Sequence, residues 1–158
     1  MFAYGQSDGT NIHNLIKDGV LGPYVKTHRI LKCPSDRSQT KLADGKTYPR
    51  VRSYAMNGFM ATKYLYTPGF PDPTFLKLSD LVKARRMELI VFSDMHEEYL
   101  NVCMLILGGG ISSEVWGNLP ASRHDARGVL SYTDGHAEIH RWRDRSTLQP
   151  DRDLYQWG

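Results

Sequence analysis

Apolar positions along the chain predict short elements separated by long polar loops. A short helix is predicted behind Asn11, which is a suitable N-cap, and this helix ends near residues 18–19. Its apolar positions, at spacing i, i+3 and i+4, are Ile12, Leu15 and Ile16. Residues 53–58 predict a strand closed by an Asn-Gly turn. Residues 87–93 are nearly all apolar, so they predict a central strand of the sheet.

The most readable element is a hairpin near the end of the chain. Asp134-Gly135 is the residue pair that a two-residue type I′ turn favours, and it lies between two strand-like runs. This turn predicts that Leu130 pairs with Ile139, and residues that pair share a face of the sheet. The predicted core face therefore carries Leu130, Tyr132, Ala137 and Ile139. The predicted solvent face carries Ser131, Thr133, His136, Glu138 and His140.

Length and charge favour one ordinary globular domain over residues 1–158. The net charge is 20 − 17 = +3, and no block of Lys and Arg of the kind that follows phosphates is present, so a nucleic-acid partner is not expected. The chain as given has neither a run of about 18 apolar residues nor a leader peptide. Cys33 and Cys103 could form one bridge in an oxidising compartment, although their separation in sequence does not indicate proximity.

Two groups of residues could hold a divalent metal. His124, Asp134 and His136 are close in sequence, and imidazole with carboxylate suits several transition metals. Asp94, Glu97 and Glu98 follow the predicted central strand, where carboxylates can collect Ca²⁺ or act as a catalytic pair. Solvated polar surface is the more common role of such residues. The motifs alone therefore indicate no reaction and no firm metal or cofactor.

Several segments together resemble one family, the prepilin-type proteins with an H-X9-DG signature. The signature itself is His124, nine residues, and then Asp134 and Gly135. Residues 32–36 (KCPSD), with Cys33, Pro34 and Asp36, and residues 52–58 (RSYAMNG) resemble two further segments of that family. Residues 90–94 (IVFSD) resemble its central strand, residues 140–144 (HRWRD) its exit, and residues 1–9 the end of its long first helix.

The resemblance implies an α+β head similar to those of type IV pilins and type II secretion pseudopilins. It implies a helix remnant against an antiparallel sheet of about four strands, with long loops. In this family a basic leader and a long apolar helix precede the head, so we expect anchoring in the inner membrane and a head on the periplasmic or extracellular face of the envelope. The expected function is structural and not enzymatic, and the expected partners are other pilin or pseudopilin subunits and the secretion machinery.

Two other functions stay open at this point. One is a metal-dependent enzyme or ligand-binding domain that uses the candidate metal residues above. The other is a domain that binds envelope polysaccharide through Tyr64, Tyr66 and Trp116. For His124 we expect a structural role, in which its ring bonds to backbone groups near Asp134 or the Asp94 loop. We expect Asp134 and Gly135 to occupy the two positive-φ positions of the turn.

Overall fold

The fold combines short helices with a mostly antiparallel sheet, in a computed structural model of the chain. The structure describes residues 10–17, 21–25, 27–60, 75–83, 89–100, 104–105, 107–108, 115–116 and 118–148. The helices are α1 (Ile12–Ile16), α2 (Leu78–Lys83) and α3 (Arg145–Leu148), and 3-10 turns cover Gly22–Tyr24, His28–Leu31 and Glu97–Tyr99. The strands are β1 (Gln39–Lys41), β2 (Thr47–Pro49), β3 (Tyr54–Asn57), β4 (Ile90–Asp94), β5 (Met104–Leu105), β6 (Leu107–Gly108), β7 (Val115–Trp116), β8 (Arg127–Tyr132) and β9 (Ala137–Arg141).

The main sheet has five strands in the order β5-β3-β4-β8-β9. The apolar strand β4 lies at its centre, as its composition predicts, and β3 is the strand predicted before the Asn-Gly turn. Neighbouring strands are antiparallel except β3 and β5, which are parallel. Two smaller sheets pair β1 with β2 and β6 with β7. The mixed α+β class is therefore confirmed among the described residues, with one strand more in the main sheet than expected.

The two faces of the main sheet differ in burial. One face carries Ala55, which pairs with Ser93, which in turn pairs with Leu130, and all three are buried. The core on this side is formed by Ala55, Met95 and Leu100, against which Ile90 and Tyr99 pack. The opposite face is only partly covered. Its apolar residues are Met56, Phe92, Val129 and Ile139.

The register of the β8–β9 hairpin differs by one residue from the prediction. Val129 and not Leu130 pairs with Ile139. Leu130 and Tyr132 therefore face one side, whereas Ala137 and Ile139 face the other, so the predicted apolar face was wrong. Ile139 is 65% exposed. The solvent exposure predicted for His136, Glu138 and His140 is confirmed.

The turn explains the shift in register. Tyr132 N donates to His136 O and Gly135 N donates to Tyr132 O, so the loop contains three residues, 133–135. Gly135 has φ +93°, as predicted, but Asp134 is not among the positive-φ residues. This pattern fits a type I turn followed by a left-handed glycine, which adds one residue relative to a type I′ turn. Because side chains alternate along a strand, one added residue exchanges the faces of β9 relative to β8.

The same three-residue loop occurs at Asp44-Gly45. Leu42 N donates to Lys46 O, Gly45 N donates to Leu42 O, and Gly45 has φ +78°. In both loops the aspartate Oδ1 accepts a hydrogen bond from the backbone N–H two residues later. This bond favours a negative φ at the aspartate, which a type I′ turn would not allow. Strands β1 and β2 flank this second loop.

The first helix begins as predicted. Asn11 is the N-cap of α1, and its side chain accepts a hydrogen bond from His13 N at 3.0 Å. The Ile16 carbonyl oxygen lies so close to Gly22 that a Cβ at this position would clash with it. The chain must therefore carry glycine where α1 meets the following turn.

Candidate functional site

Four of the six segments that carry the family resemblance meet in one polar cluster at the end of β4. We call it the signature cluster and define it by six residues that share low solvent exposure and direct contacts. They are Cys33, Asp36, Ser53, Asp94, Arg123 and His124. Their positions in sequence span 91 residues, so the cluster joins loops that are distant along the chain.

Cys33 and Asp36 are placed by a single turn. Asp36 N donates to Cys33 O at 3.0 Å, with Pro34 at the second position, where its fixed φ favours a turn. Both residues are buried, and both contact the Ser53 hydroxyl. The KCPSD segment therefore acts as a short rigid support for two polar groups.

Ser53 connects this turn to the sheet. Its hydroxyl donates to Asp36 Oδ2 at 2.5 Å and accepts from Cys33 N at 3.1 Å. Its backbone accepts from Met95 N and donates to Leu31 O, both at 2.9 Å. Ser53 is fully buried and immediately precedes β3, so a small residue that both donates and accepts is required there.

Arg123 provides the positive charge of the cluster. It donates to Asp94 Oδ1 at 2.6 Å, to Met95 O at 2.7 Å and to Glu97 Oε2 at 3.3 Å. Its Nε lies 3.9 Å from Asp36 Oδ1. The side chain of Asp94 is completely buried, and its Oδ2 has no hydrogen-bond partner among the described residues. Two buried carboxylates therefore share one largely buried guanidinium.

His124 completes the cluster through its ring. Its Nε2 lies 3.1 Å from the Sγ atom of Cys33, which is a free and buried thiol. Either His124 Nε2 or the Cys33 thiol donates this hydrogen bond, depending on the tautomer of the imidazole ring. The ring also lies beside Asp94, as predicted, but the hydrogen-bond partner of the ring is the Cys33 thiol and not a backbone group.

A strained turn follows His124 and sets the start of β8. Asp125 and Ala126 have φ values of +55° and +58°, and they are the only non-glycine residues with positive φ among the described parts of the chain. His124 N donates to Arg127 O, and Trp142 N donates to Ala126 O at 2.8 Å. Positive φ at both central residues is the mark of a type I′ turn. The predicted type I′ geometry therefore occurs at a position that lacks the usual Asn-Gly or Asp-Gly pair.

Burial acts to raise the pKa values of the carboxyl groups in the signature cluster, whereas hydrogen bonds and the charge of Arg123 act to lower them. Burial acts to raise the pKa of Asp36, but hydrogen bonds from Ser38 and Ser53 and the charge of Arg123 hold that pKa below its ordinary value. Burial raises the pKa of Asp94, although Arg123 opposes the shift. Burial, together with the negative charge of Asp94, raises the pKa of the neighbouring Tyr54 to about 12.

The other predicted site residues lie apart from the cluster or at its margin. Asp134 and His136 contact each other at the hairpin tip, with His136 Nδ1 at 2.6 Å from Asp134 Oδ1, and both are exposed. Glu97 is half-exposed and pairs with Arg123, whereas Glu98 is exposed. The acidic stretch after β4 was expected to be solvated. That expectation was wrong for Asp94, because Arg123 pairs with it inside the protein.

Sequence reasoning missed Ser53 and Arg123 as site residues, and it did not indicate that Cys33 is the partner of His124. Ser53 lies within the RSYAMNG segment and Arg123 immediately precedes His124, and these positions are the only signal of their role in the sequence. A groove of about 470 Å³ reaches the cluster, and both Cys33 and Asp36 contribute to its lining. Its remaining lining includes four basic side chains: His28, Arg29, Lys32 and Arg50.

Some residues named from the sequence cannot be placed. Residues 1–9, Tyr64, Tyr66 and Cys103 lie outside the described residues, and Trp116 is the last residue of β7. Every helix in the described ranges is too short or too polar to cross a membrane. Comparison with protein-family models, curated proteins and solved structures finds no match to this chain.

Proposed function

We propose that this chain is the head of a pilin-like structural subunit in a type II secretion or type IV pilus-type filament. One observation carries the proposal: four of the six segments that resemble the H-X9-DG family contribute a residue to the signature cluster. Cys33 and Asp36 come from the first segment, Ser53 from the second, Asp94 from the third and His124 from the fourth. Independent chance matches would have no reason to converge in space, so the convergence supports a common origin of the pattern.

The environment of the cluster supports a structural role over a catalytic one. Cys33 and Asp94 have 1% and 0% exposure, and the polar contacts of the cluster tie the loop after residue 31 to both β3 and β4. Buried polar networks of this kind fix one arrangement of loops. In a filament subunit, that rigidity would keep the outer loops in register between neighbouring copies.

A filament subunit of this kind also needs a surface that receives its apolar helix, and the partly covered sheet face is suited to this. Met56, Phe92, Val129 and Ile139 share this face, and Ile139 is largely exposed. Complete burial of one such side chain contributes about 1.5–3 kcal/mol. The long apolar helix of the resembled family is the occupant we propose for this face. This face differs from the core face predicted from the sequence, because that prediction combined residues from both faces of the sheet.

The remaining parts of the proposal follow from this role. The partners are other pilin or pseudopilin subunits and the secretion machinery, and the head lies on the periplasmic or extracellular face of the cell envelope. The chain performs no reaction in this account, and assembly requires no nucleic acid.

Covering of the sheet face can be tested by thiol labelling. In the isolated head, the thiol introduced by Ile139→Cys should react readily with a maleimide. In the membrane-anchored subunit with the family's apolar helix, we expect labelling at this position to fall at least tenfold. Ile30→Cys is the matched control, because Ile30 has a similar exposure of 59% and lies on a 3-10 turn that is not part of the main sheet. Equal labelling of position 139 in both forms, with position 30 reactive in both, would count against the proposed docking of the helix.

A further inference from the structure

We propose that Cys33, Asp94 and His124 bind one zinc ion. This inference does not depend on the filament function, and the ligand set differs from both metal groups that the sequence suggested. It takes His124 from one group and Asp94 from the other, and it adds a thiol that neither group contained.

The chemistry of the three ligands selects the ion. A thiolate, an imidazole and a carboxylate are the ligand types that zinc accepts, whereas Ca²⁺ and Mg²⁺ prefer oxygen ligands alone. Three protein ligands leave a fourth tetrahedral position, which water can occupy. The groove that Cys33 helps to line lies beside this site.

The geometry of the cluster is close to that of a loaded site. One ligand atom from each residue lies within 4.8 Å of the other two. Cys33 Sγ and His124 Nε2 are 3.1 Å apart. A tetrahedral ion at about 2.3 Å from sulfur and about 2.1 Å from nitrogen would hold these atoms about 3.6 Å apart. Cys33 and His124 therefore need to separate by about 0.5 Å, and the Asp94 oxygen, which lies within 4.8 Å of both atoms, needs to lie within about 3.6 Å of each.

A second and independent observation also points to a ligand. Asp94 Oδ2 is buried and has no hydrogen-bond partner among the described residues, although an unpaired buried carboxylate oxygen is costly. A metal ion would satisfy that oxygen. Arg123 meanwhile binds Oδ1 at 2.6 Å and so fixes the orientation of the carboxylate, as outer-shell partners of metal ligands do.

The charge balance of the cluster favours a divalent ion. Ionised Asp36, Asp94 and Glu97, together with Arg123 and with Arg50, which interacts with Asp36 and Glu97, give a net charge of −3 + 2 = −1. A zinc ion that displaces the proton of Cys33 adds +1 and brings this sum to zero. Neutralisation reduces the cost of burying the group, because uncompensated charge is strongly disfavoured in the interior.

Metal content and X-ray absorption test the proposal on the unmodified protein. Protein purified without a histidine tag and dialysed against zinc should retain one zinc per chain. The zinc absorption spectrum should show one sulfur at about 2.3 Å and two or three nitrogen or oxygen ligands at about 2.0–2.2 Å. A folded protein that retains no zinc, or a spectrum without sulfur, would overturn the proposal.

Cobalt substitution assigns the ligands. The thiolate-to-cobalt charge-transfer band should be present in the original protein and lost in Cys33→Ser. It should persist in the two controls, Cys103→Ser and His136→Ala, since the proposal assigns neither residue as a ligand. A band that survives Cys33→Ser but disappears in Cys103→Ser would contradict the assignment. If Cys33→Ser does not fold, the absorption spectrum of the unmodified protein decides the question.

Discussion

Replacement of Arg123 by alanine should be among the most damaging single changes in this protein. The substitution removes the hydrogen bonds to Asp94 Oδ1 and to Met95 O, at 2.6 and 2.7 Å. It leaves the completely buried carboxylate of Asp94 without its cation. Breaking a buried pair by removing one partner costs about 3–5 kcal/mol. The contact with half-exposed Glu97 adds less than about 1 kcal/mol. We therefore expect the free energy of unfolding to fall by about 3–5 kcal/mol.

Urea unfolding followed by circular dichroism measures this loss. Arg127→Ala is the matched control, because Arg127 pairs with Asp125, whose side chain is 81% exposed, and should cost at most about 1 kcal/mol. Adding Asp94→Asn to Arg123→Ala should restore part of the stability, since it removes the buried charge. If both arginine variants lose the same small amount, the reasoning about the signature cluster is wrong.

Three smaller predictions concern the turns and the acidity of the cluster. Gly135→Val should lower the unfolding free energy by about 1 kcal/mol or more in the same assay, because φ +93° is strained for a β-branched residue. Ala126→Gly should raise the unfolding free energy by about 0.5–1 kcal/mol, because glycine relieves the left-handed backbone at φ +58°, and unchanged or lower stability would contradict this. The pKa of Asp36 is lower in the folded protein than its ordinary value of 3.8, so ionised Asp36 stabilises the fold above pH 3.8. This stabilisation is lost as the pH falls through the pKa that Asp36 has in the folded state. The cost of Asp36→Asn, measured by urea titration across this range, should therefore shrink at low pH, and a cost independent of pH would refute the assignment.

The sequence predicts the local elements better than their pairing. The Asn11 cap depends on a contact two residues away, and the central position of β4 follows from its apolar run. The hairpin register failed because Asp-Gly fits two kinds of turn, and the choice depends on φ at Asp134, which composition does not encode. The turn at Asp125 and Ala126 carries no sequence signal, because the backbone is held by Trp142 from a later segment.

For the candidate site too, the sequence predicts individual residues better than the contacts between them. The resemblance selects Cys33, Asp36 and His124, but it does not indicate that the Cys33 thiol faces His124 across 91 residues of sequence. Asp94 was expected in solvent because loops after strands are usually polar and exposed. Its burial depends on Arg123, 29 residues later, and such long-range compensation of charge has no local pattern.

The proposed function is tested most directly by isolating surface and periplasmic filaments from cells that produce an epitope-tagged form of this protein. Surface filaments are sheared from the cells, periplasmic filaments are released by opening the outer membrane, and both fractions are sedimented and examined by immunogold electron microscopy and mass spectrometry. We expect tagged protein at regular intervals along filaments in one of these fractions. If the tagged protein is produced but is absent from every filament preparation, the proposal that this chain is a filament subunit is contradicted.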